Sequence, residues 1–138
     1  MTKFFGYKQL NHIIELLKYH KKNCNAGNPF SAAIIHKIDA DFFICDNIVY
    51  LNNDNTAHAE MEALRKLRAY NWHPKDCFII SSGEPCGMCL FAIAWSGIKE
   101  VFYLDSYKVA RKRGFKFDGN AKRINRQNKL GLTIKQIK

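Results

Sequence analysis

Helical and extended segments alternate along this chain, and the alternation limits the folds that it can adopt. Apolar residues recur three, four and seven positions apart from Leu10 to Leu17, which predicts a first helix over residues 7–22. Residues 25–29 then break that helix. Further strands are predicted at 30–38, 42–51, 77–81, 100–104 and 130–137, and further helices at 57–70, 86–95 and 106–113. This order predicts an α/β fold, in which helices cover a mixed β-sheet.

The size and composition of the chain predict one globular domain over residues 1–138. Its 138 residues are 47% hydrophobic and 25% charged, and they contain no internal repeat and no linker rich in proline or glycine. The first residues carry no apolar signal segment. The longest apolar stretch, 89–95, is much shorter than the roughly 20 residues that span a bilayer. We therefore expect a soluble cytoplasmic protein without a membrane partner.

Positive charge is concentrated in the last third of the chain. The net charge is +10, and segment 108–129 contains nine lysines and arginines against the single acid Asp118. Such a segment favours encounter with anions, including nucleic acids. It contains few aromatic residues, however, and a solvated surface is the commoner explanation of a charge run. Binding of nucleic acid through 108–129 is therefore an expectation that we do not favour.

The cysteines indicate metal or redox chemistry. Five cysteines are an odd number, and Cys86 and Cys89 form a Cys-x-x-Cys pair in a chain without a signal segment. Cys24, Cys45 and Cys77 are scattered, and we interpret them as buried, reduced thiols that pack as small apolar residues.

Two short motifs supply the ligands of a catalytic Zn²⁺ site. His58, Cys86 and Cys89 are three donors that suit Zn²⁺, and three protein ligands leave the fourth tetrahedral position open. The two cysteines open a predicted helix, whose positive end favours the thiolate form that binds metal. His58 and Glu60 are two residues apart and would diverge on a regular helix. They converge only if His58 lies in an irregular first turn.

Glu60 is predicted to transfer protons. A carboxylate beside a zinc-bound water accepts its proton, leaves hydroxide as the nucleophile, and then protonates the ring nitrogen and the leaving amino group. A redox Cys-x-x-Cys pair would not explain His58 and Glu60, and a structural zinc site lacks a fourth ligand. His-x-Glu followed by Pro-Cys-x-x-Cys is the signature of zinc deaminases.

Residues 53–60 and 84–89 closely resemble the cytidine deaminase-like superfamily, in the branch of guanine deaminases, with tRNA adenosine deaminases next. The resemblance implies a three-layer α/β/α fold with a central five-stranded mixed sheet, and a homodimer. Asn55 stands where the family pattern has proline, which changes a loop and not the ligands. The implied reaction is the deamination of a nucleobase, guanine to xanthine plus ammonia. Adenosine in tRNA, or another base or nucleoside such as cytosine, is the alternative substrate.

The resemblance also implies substrate contacts. Phe30 would stack on the base, Asn47 would hydrogen-bond it, and Ala59, Trp95 and Asp118 would complete the pocket. The two aromatic residues could equally be core residues. A binding module without activity is a third interpretation, and the complete set of ligands together with the Glu argues against it.

Three departures from the guanine deaminase pattern concern the substrate rather than the metal. Asp118 lies one residue later than the acid that reads the guanine edge, with Phe117 in its place. Ser31 stands where the family has glycine, and the chain ends at Lys138 without the longer tail that closes some pockets of this family. We therefore expect that the substrate could differ while the metal chemistry stays the same.

Overall fold

A computed structural model describes residues 7–23, 29–112, 114 and 120–137. The strands are β1 (Ser31–His36), β2 (Phe42–Asp46), β3 (Cys77–Gly83), β4 (Glu100–Asp105) and β5 (Thr133–Gln136). The α-helices are α1 (Tyr7–Asn23), α2 (Val49–Asn52), α3 (Ala59–Leu67), α4 (Gly87–Ser96), α5 (Tyr107–Lys112) and α6 (Ala121–Gln127). Two 3₁₀ helices span Arg68–Tyr70 and Pro74–Asp76. In the described part of the chain, every helix is too short or too polar to cross a membrane.

The five strands form one mixed sheet in the order β2-β1-β3-β4-β5. β1 pairs antiparallel with both β2 and β3, whereas β3–β4 and β4–β5 are parallel pairs. The parallel pairs are connected through helices, because a parallel connection needs a crossover. The prediction of a central five-stranded mixed sheet is confirmed.

Helices cover both faces of the sheet, because successive side chains of a strand point to opposite faces. Along β1, Ala32 and Ile34 belong to a core shared with α3, α4 and α6. Ala33 and Ile35 belong to a second core shared with α1. The predicted three-layer α/β/α arrangement is therefore confirmed, and the face that carries α3 and α4 also carries the candidate site.

The second strand of the hairpin is shorter than predicted. The sequence predicts a strand over 42–51, but β2 ends at Asp46 and residues 49–52 form the helical turn α2. Asn47 causes the change, because its Oδ1 accepts a hydrogen bond from Val49 N at 3.0 Å and turns the chain locally. The third helix likewise begins at Ala59 rather than at residue 57, and its last three predicted residues form a 3₁₀ turn.

Helix α6 is not predicted by the sequence. Its stretch is strongly basic and has no clear apolar period, so its stability depends on tertiary contacts. Asn120 caps it by accepting a hydrogen bond from Arg123 N at 3.1 Å, and Ile124 packs against the main core. The predicted helix break at 25–29 falls mostly on residues 24–28, and the predicted contact Asp118 falls in 115–119; both segments lie outside the described residues.

Candidate active site

The candidate site begins with His58, which precedes α3 as its N-cap. Its backbone is extended, with φ −64° and ψ 156°, whereas Ala59 and Glu60 are already helical. This extended residue is the irregular first turn that the spacing of His58 and Glu60 requires. The imidazole and the carboxyl therefore lie on the same side of the sheet, although they are only two residues apart.

The two cysteines occupy the equivalent place at the start of α4. Cys86 is the N-cap, with φ −77° and ψ 173°, and Cys89 lies in the first turn of the helix, where it is fully buried. The fully buried Pro85 fixes the entry of the chain into this turn. Two helices that start side by side on one face of the sheet thus bring together residues that are far apart in the sequence.

The three side chains fit a zinc ion. His58 Nδ1 lies 3.6 Å from Cys86 Sγ and 3.6 Å from Cys89 Sγ, and all three atoms lie within 4.8 Å of one another. A tetrahedral ion with ordinary Zn–N and Zn–S bond lengths separates its nitrogen and sulfur ligands by about 3.6 Å. The structure therefore brings the three predicted ligands together at the spacing that Zn²⁺ requires.

Hydrogen bonds among the ligands favour a thiolate at Cys86. The Cys89 thiol and the His58 ring both hydrogen-bond Cys86 Sγ, and these contacts lower the pKa of Cys86 to about 4. The hydrogen bond with Cys86 and burial raise the pKa of Cys89. The hydrogen bond to Cys86 also raises the pKa of His58. A divalent cation in the centre would replace the protons of these hydrogen bonds as the counter-charge.

Glu60 lies beside the three ligands without joining them. The residue is only 7% exposed. Burial, together with the negative charge of Cys86, raises the pKa of Glu60 to about 7. Its oxygens are outside the cluster formed by His58, Cys86 and Cys89. The carboxyl is therefore placed to exchange protons with a group bound at the centre.

Phe30 and Asn47 are neighbours where β1 begins and β2 ends. The Asn47 backbone N donates a hydrogen bond to Phe30 O at 3.0 Å, which extends the ladder between β1 and β2. The Phe30 ring lies against Gly83 so closely that a Cβ on Gly83 would be 2.9 Å from Phe30 Cε1. Asn47 is 4% exposed, and its Oδ1 is the atom that accepts from Val49 N.

The remaining predicted contacts differ in their positions. Ala59 is fully buried between His58 and Glu60, in the first turn of α3. Trp95 is 94% exposed in the last turn of α4, about 9 Å along the helix axis from Cys89, so the structure does not bring it into the site of its own chain. Asp118 lies outside the described residues.

Glu84 is a residue of the site region whose importance the sequence analysis missed. It is 6% exposed, and its two carboxylate oxygens accept hydrogen bonds from Tyr107 N at 3.1 Å and Ala121 N at 2.7 Å. Its own N donates to Asp105 O at 2.8 Å. Glu84 therefore fastens the turn before Cys86 to β4, α5 and α6. An acidic residue directly before a Pro-Cys pair was the available signal.

A metal site of one histidine and two cysteines, formed by the first turns of two helices on a mixed sheet, defines the class of zinc-dependent deaminases. Residues 7–105 match the family of the cytidine and deoxycytidylate deaminase zinc-binding region, and the chain belongs to this family.

Guanine deaminases are among its relatives. The chain is 43% identical over 97 residues to guanine deaminase of Bacillus subtilis (strain 168), an alignment that covers 67% of this chain and 60% of the relative. The X-ray structure of guanine deaminase from Bacillus subtilis superposes with a TM-score of 0.69 at 34% identity, covering 82% of this chain and 73% of that one. A guanine deaminase from Nitrosomonas europaea has a TM-score of 0.71, covering 93% and 74%, and its 23% identity shows a common fold alone.

The curated relatives are longer than the matched region. The chain spans about three fifths of the length of guanine deaminase of Bacillus subtilis.

Proposed function

We propose that the chain is a zinc-dependent hydrolase that deaminates a free nucleobase, converting guanine and water to xanthine and ammonia. The observation that carries the proposal is the 3.6 Å spacing of His58 Nδ1 from both cysteine sulfurs, with the buried carboxyl of Glu60 beside them. The 43% identity to guanine deaminase of Bacillus subtilis supports guanine as the substrate.

In this proposal His58, Cys86 and Cys89 hold the metal and Glu60 transfers protons. Zinc in an open site of this kind lowers the pKa of a bound water, which supplies a nucleophile at neutral pH. Glu60 accepts the proton of the attacking water and delivers it to the ring nitrogen. It then transfers the second proton to the departing amino group, which leaves as ammonia. Burial of Glu60 keeps bulk water from competing for these protons.

The base would lie against the wall formed by Phe30 and Asn47. The Phe30 ring offers a stacking surface, and Asn47 Nδ2 offers a donor to a carbonyl oxygen or ring nitrogen of a purine. The N–H of Ala59 offers a second donor, since backbone N–H groups in the first turn of a helix have no partner within it. Asp118 stays a proposed contact with the guanine edge.

Release of ammonia from a panel of substrates tests the function. The zinc-loaded protein is given guanine, adenine, cytosine, their nucleosides and tRNA; ammonia is measured for each substrate, and xanthine formation is followed by its ultraviolet spectrum. We expect turnover of guanine well above that of the other bases, and none with the Glu60→Ala variant. Ammonia from cytosine or a nucleoside instead of guanine would reassign the substrate, and inosine formed in tRNA would favour the tRNA alternative. No ammonia from any of them would overturn the proposal.

We also propose that the enzyme is a homodimer in which α4 lies at the interface. Met88, Phe91 and Trp95 are spaced as one stripe of this helix, and they are 37%, 49% and 94% exposed. A helix that is apolar on all sides is normally covered by other protein surface on every side. Leaving an apolar stripe of it exposed to water costs free energy. A second copy that covers the stripe would give Trp95 a role in the interface rather than in the pocket of its own chain.

The proposed reaction places the protein in purine metabolism, and the proposed compartment is the cytoplasm. Metal binding needs Cys86 and Cys89 as reduced thiolates, and cytoplasmic reductants maintain thiols in that state. The four cysteines in the described part of the chain are free.

A further inference from the structure

A basic cleft lies between α5 and α6, and neither Phe30 nor Asn47 is among its described lining residues. Its volume is about 490 Å³. Among the described residues, its lining consists of Tyr107, Arg111, Asn120, Lys122, Arg123 and Arg126. Four of these six side chains are cations, and none is a carboxylate. Four of the nine cations in segment 108–129 therefore line a concave surface.

The cations of α6 have no acidic partner within the described ranges. Arg126 follows Arg123 by three positions and Lys122 by four, so it is a neighbour of both on the surface of the helix. None of the three forms an ion pair with a described residue. Like charges held on one short helix repel one another, and an anion in the cleft would relieve that repulsion.

The walls of the cleft are held in place by buried contacts. Glu84 accepts hydrogen bonds from Tyr107 N and Ala121 N, the first residues of α5 and α6. Ile124 packs against the main core on the opposite side of α6 from the cleft cations. The cleft thus has two fixed sides, and Glu84 connects both of them to the turn that leads into Cys86.

We propose that this cleft binds a ligand with two or more adjacent phosphate groups, either the polyphosphate of a free nucleotide or the backbone of an RNA strand. Guanidinium groups match phosphate oxygens in pairs, and they keep their charge at all physiological pH values. Two arginines of α6, with Lys122 and Arg111 beside them, supply more positive charge than a single phosphate neutralises. The inference goes beyond the proposed deaminase function, because a free base carries no phosphate.

Fluorescence anisotropy with the zinc-loaded protein tests the proposal. The probes are a labelled GTP analogue and a labelled short single-stranded RNA, with unlabelled inorganic triphosphate and inorganic monophosphate as competitors. The test variant is Arg123→Gln with Arg126→Gln, since glutamine keeps the helix propensity of arginine. The matched control is Arg68→Gln with Lys75→Gln, which removes the same charge from two exposed residues outside the cleft.

We expect the cleft variant to bind the preferred probe at least about tenfold more weakly, and the control to stay within about twofold, because hydrogen bonds to charged groups are the strong ones. With RNA, the slope of log K against log salt between about 50 and 200 mM should become shallower by about 1.4, which corresponds to two lost phosphate contacts. Competition by triphosphate with weak RNA binding would identify a nucleotide ligand, and tight binding of RNA alone would identify RNA. Absence of binding to either probe, or equal losses in both variants, would overturn the proposal. These readouts do not depend on ammonia release.

Discussion

Glu84 Oε2 accepts a hydrogen bond from Ala121 N at 2.7 Å, and this contact ties a helix that the sequence did not predict to the turn before the metal site. The same carboxylate accepts from Tyr107 N. We expect Glu84→Gln to lower the free energy of unfolding by about 1–3 kcal/mol, because the amide replaces one acceptor with a donor that faces a backbone N–H. Urea denaturation measures the change. Glu15→Gln is the control, since Glu15 is exposed and makes only a surface ion pair with Lys18. Equal effects of both substitutions would contradict the role of Glu84.

Replacing Glu60 should separate catalysis from metal binding. Glu60→Gln keeps the volume of this buried side chain but removes its ability to accept a proton. We expect kcat for guanine to fall by about 10²–10⁴-fold, the usual contribution of general acid–base catalysis. Zinc content, measured by plasma mass spectrometry, and the far-ultraviolet circular dichroism spectrum should remain unchanged. A variant that keeps its kcat would show that another group transfers the proton.

Removing a metal ligand should lower both zinc content and stability. Cys86→Ser is expected to lose most of its zinc and its activity, and to unfold at a lower temperature, because an ion bound only by the folded chain stabilises it. Cys45→Ser is the matched control, because Cys45 is a free cysteine outside the cluster. Dialysis of the unchanged protein against a chelator should reproduce the loss, and added Zn²⁺ should restore activity. Zinc retained in stoichiometric amount by Cys86→Ser would exclude this thiol as a ligand.

Gly83 should control the position of the Phe30 ring. A methyl group on Gly83 would lie 2.9 Å from Phe30 Cε1, so the ring must move in Gly83→Ala. We expect KM for guanine to rise several-fold with a smaller change in kcat, since the ring contributes binding of the base rather than chemistry. Gly87→Ala is the control, because its added methyl would meet Ile124 at an ordinary 3.8 Å. Steady-state kinetics with both variants checks the expectation, and an unchanged KM in Gly83→Ala would remove Phe30 as the stacking surface.

The apolar stripe of α4 should determine the oligomeric state. Phe91→Ser combined with Trp95→Ser is expected to convert a dimer to a monomer in sedimentation velocity, because these are two of the largest exposed apolar side chains of that helix. Tyr19→Ser removes an aromatic residue of α1 that is 62% exposed, between the values of Phe91 and Trp95, and should leave the dimer intact. A wild-type protein that sediments as a monomer would contradict the proposed interface.

The sequence predicted most of the sheet and the metal centre, because both depend on local signals. Apolar runs marked β1, β3 and β4, and the ligands lie in two compact motifs whose spacing has few other interpretations. The predicted end of β2 was wrong. The hydrogen bond that the Asn47 side chain accepts from Val49 N stabilises a turn, and it outweighs the strand propensity of residues 48–50.

Features that depend on long-range contacts were not predictable in this way. Helix α6 has a weak pattern of its own and is held by Glu84, which is 37 residues away in the sequence. The close approach of Gly83 to Phe30 likewise joins the end of β3 to the residue before β1, two positions that are far apart in the sequence. Trp95 is exposed because it lies on the face of α4 that points away from the sheet. The sequence does not show which face that is, because α4 is apolar on all sides.

The hydrogen bond between Asn47 N and Phe30 O joins the backbones of the two proposed substrate contacts. A substitution that displaces the backbone of one residue carries the other with it, so energies measured at the two positions should not add. Altering the choice of base would then demand paired changes at both positions, and successive single steps would pass through poorly active intermediates.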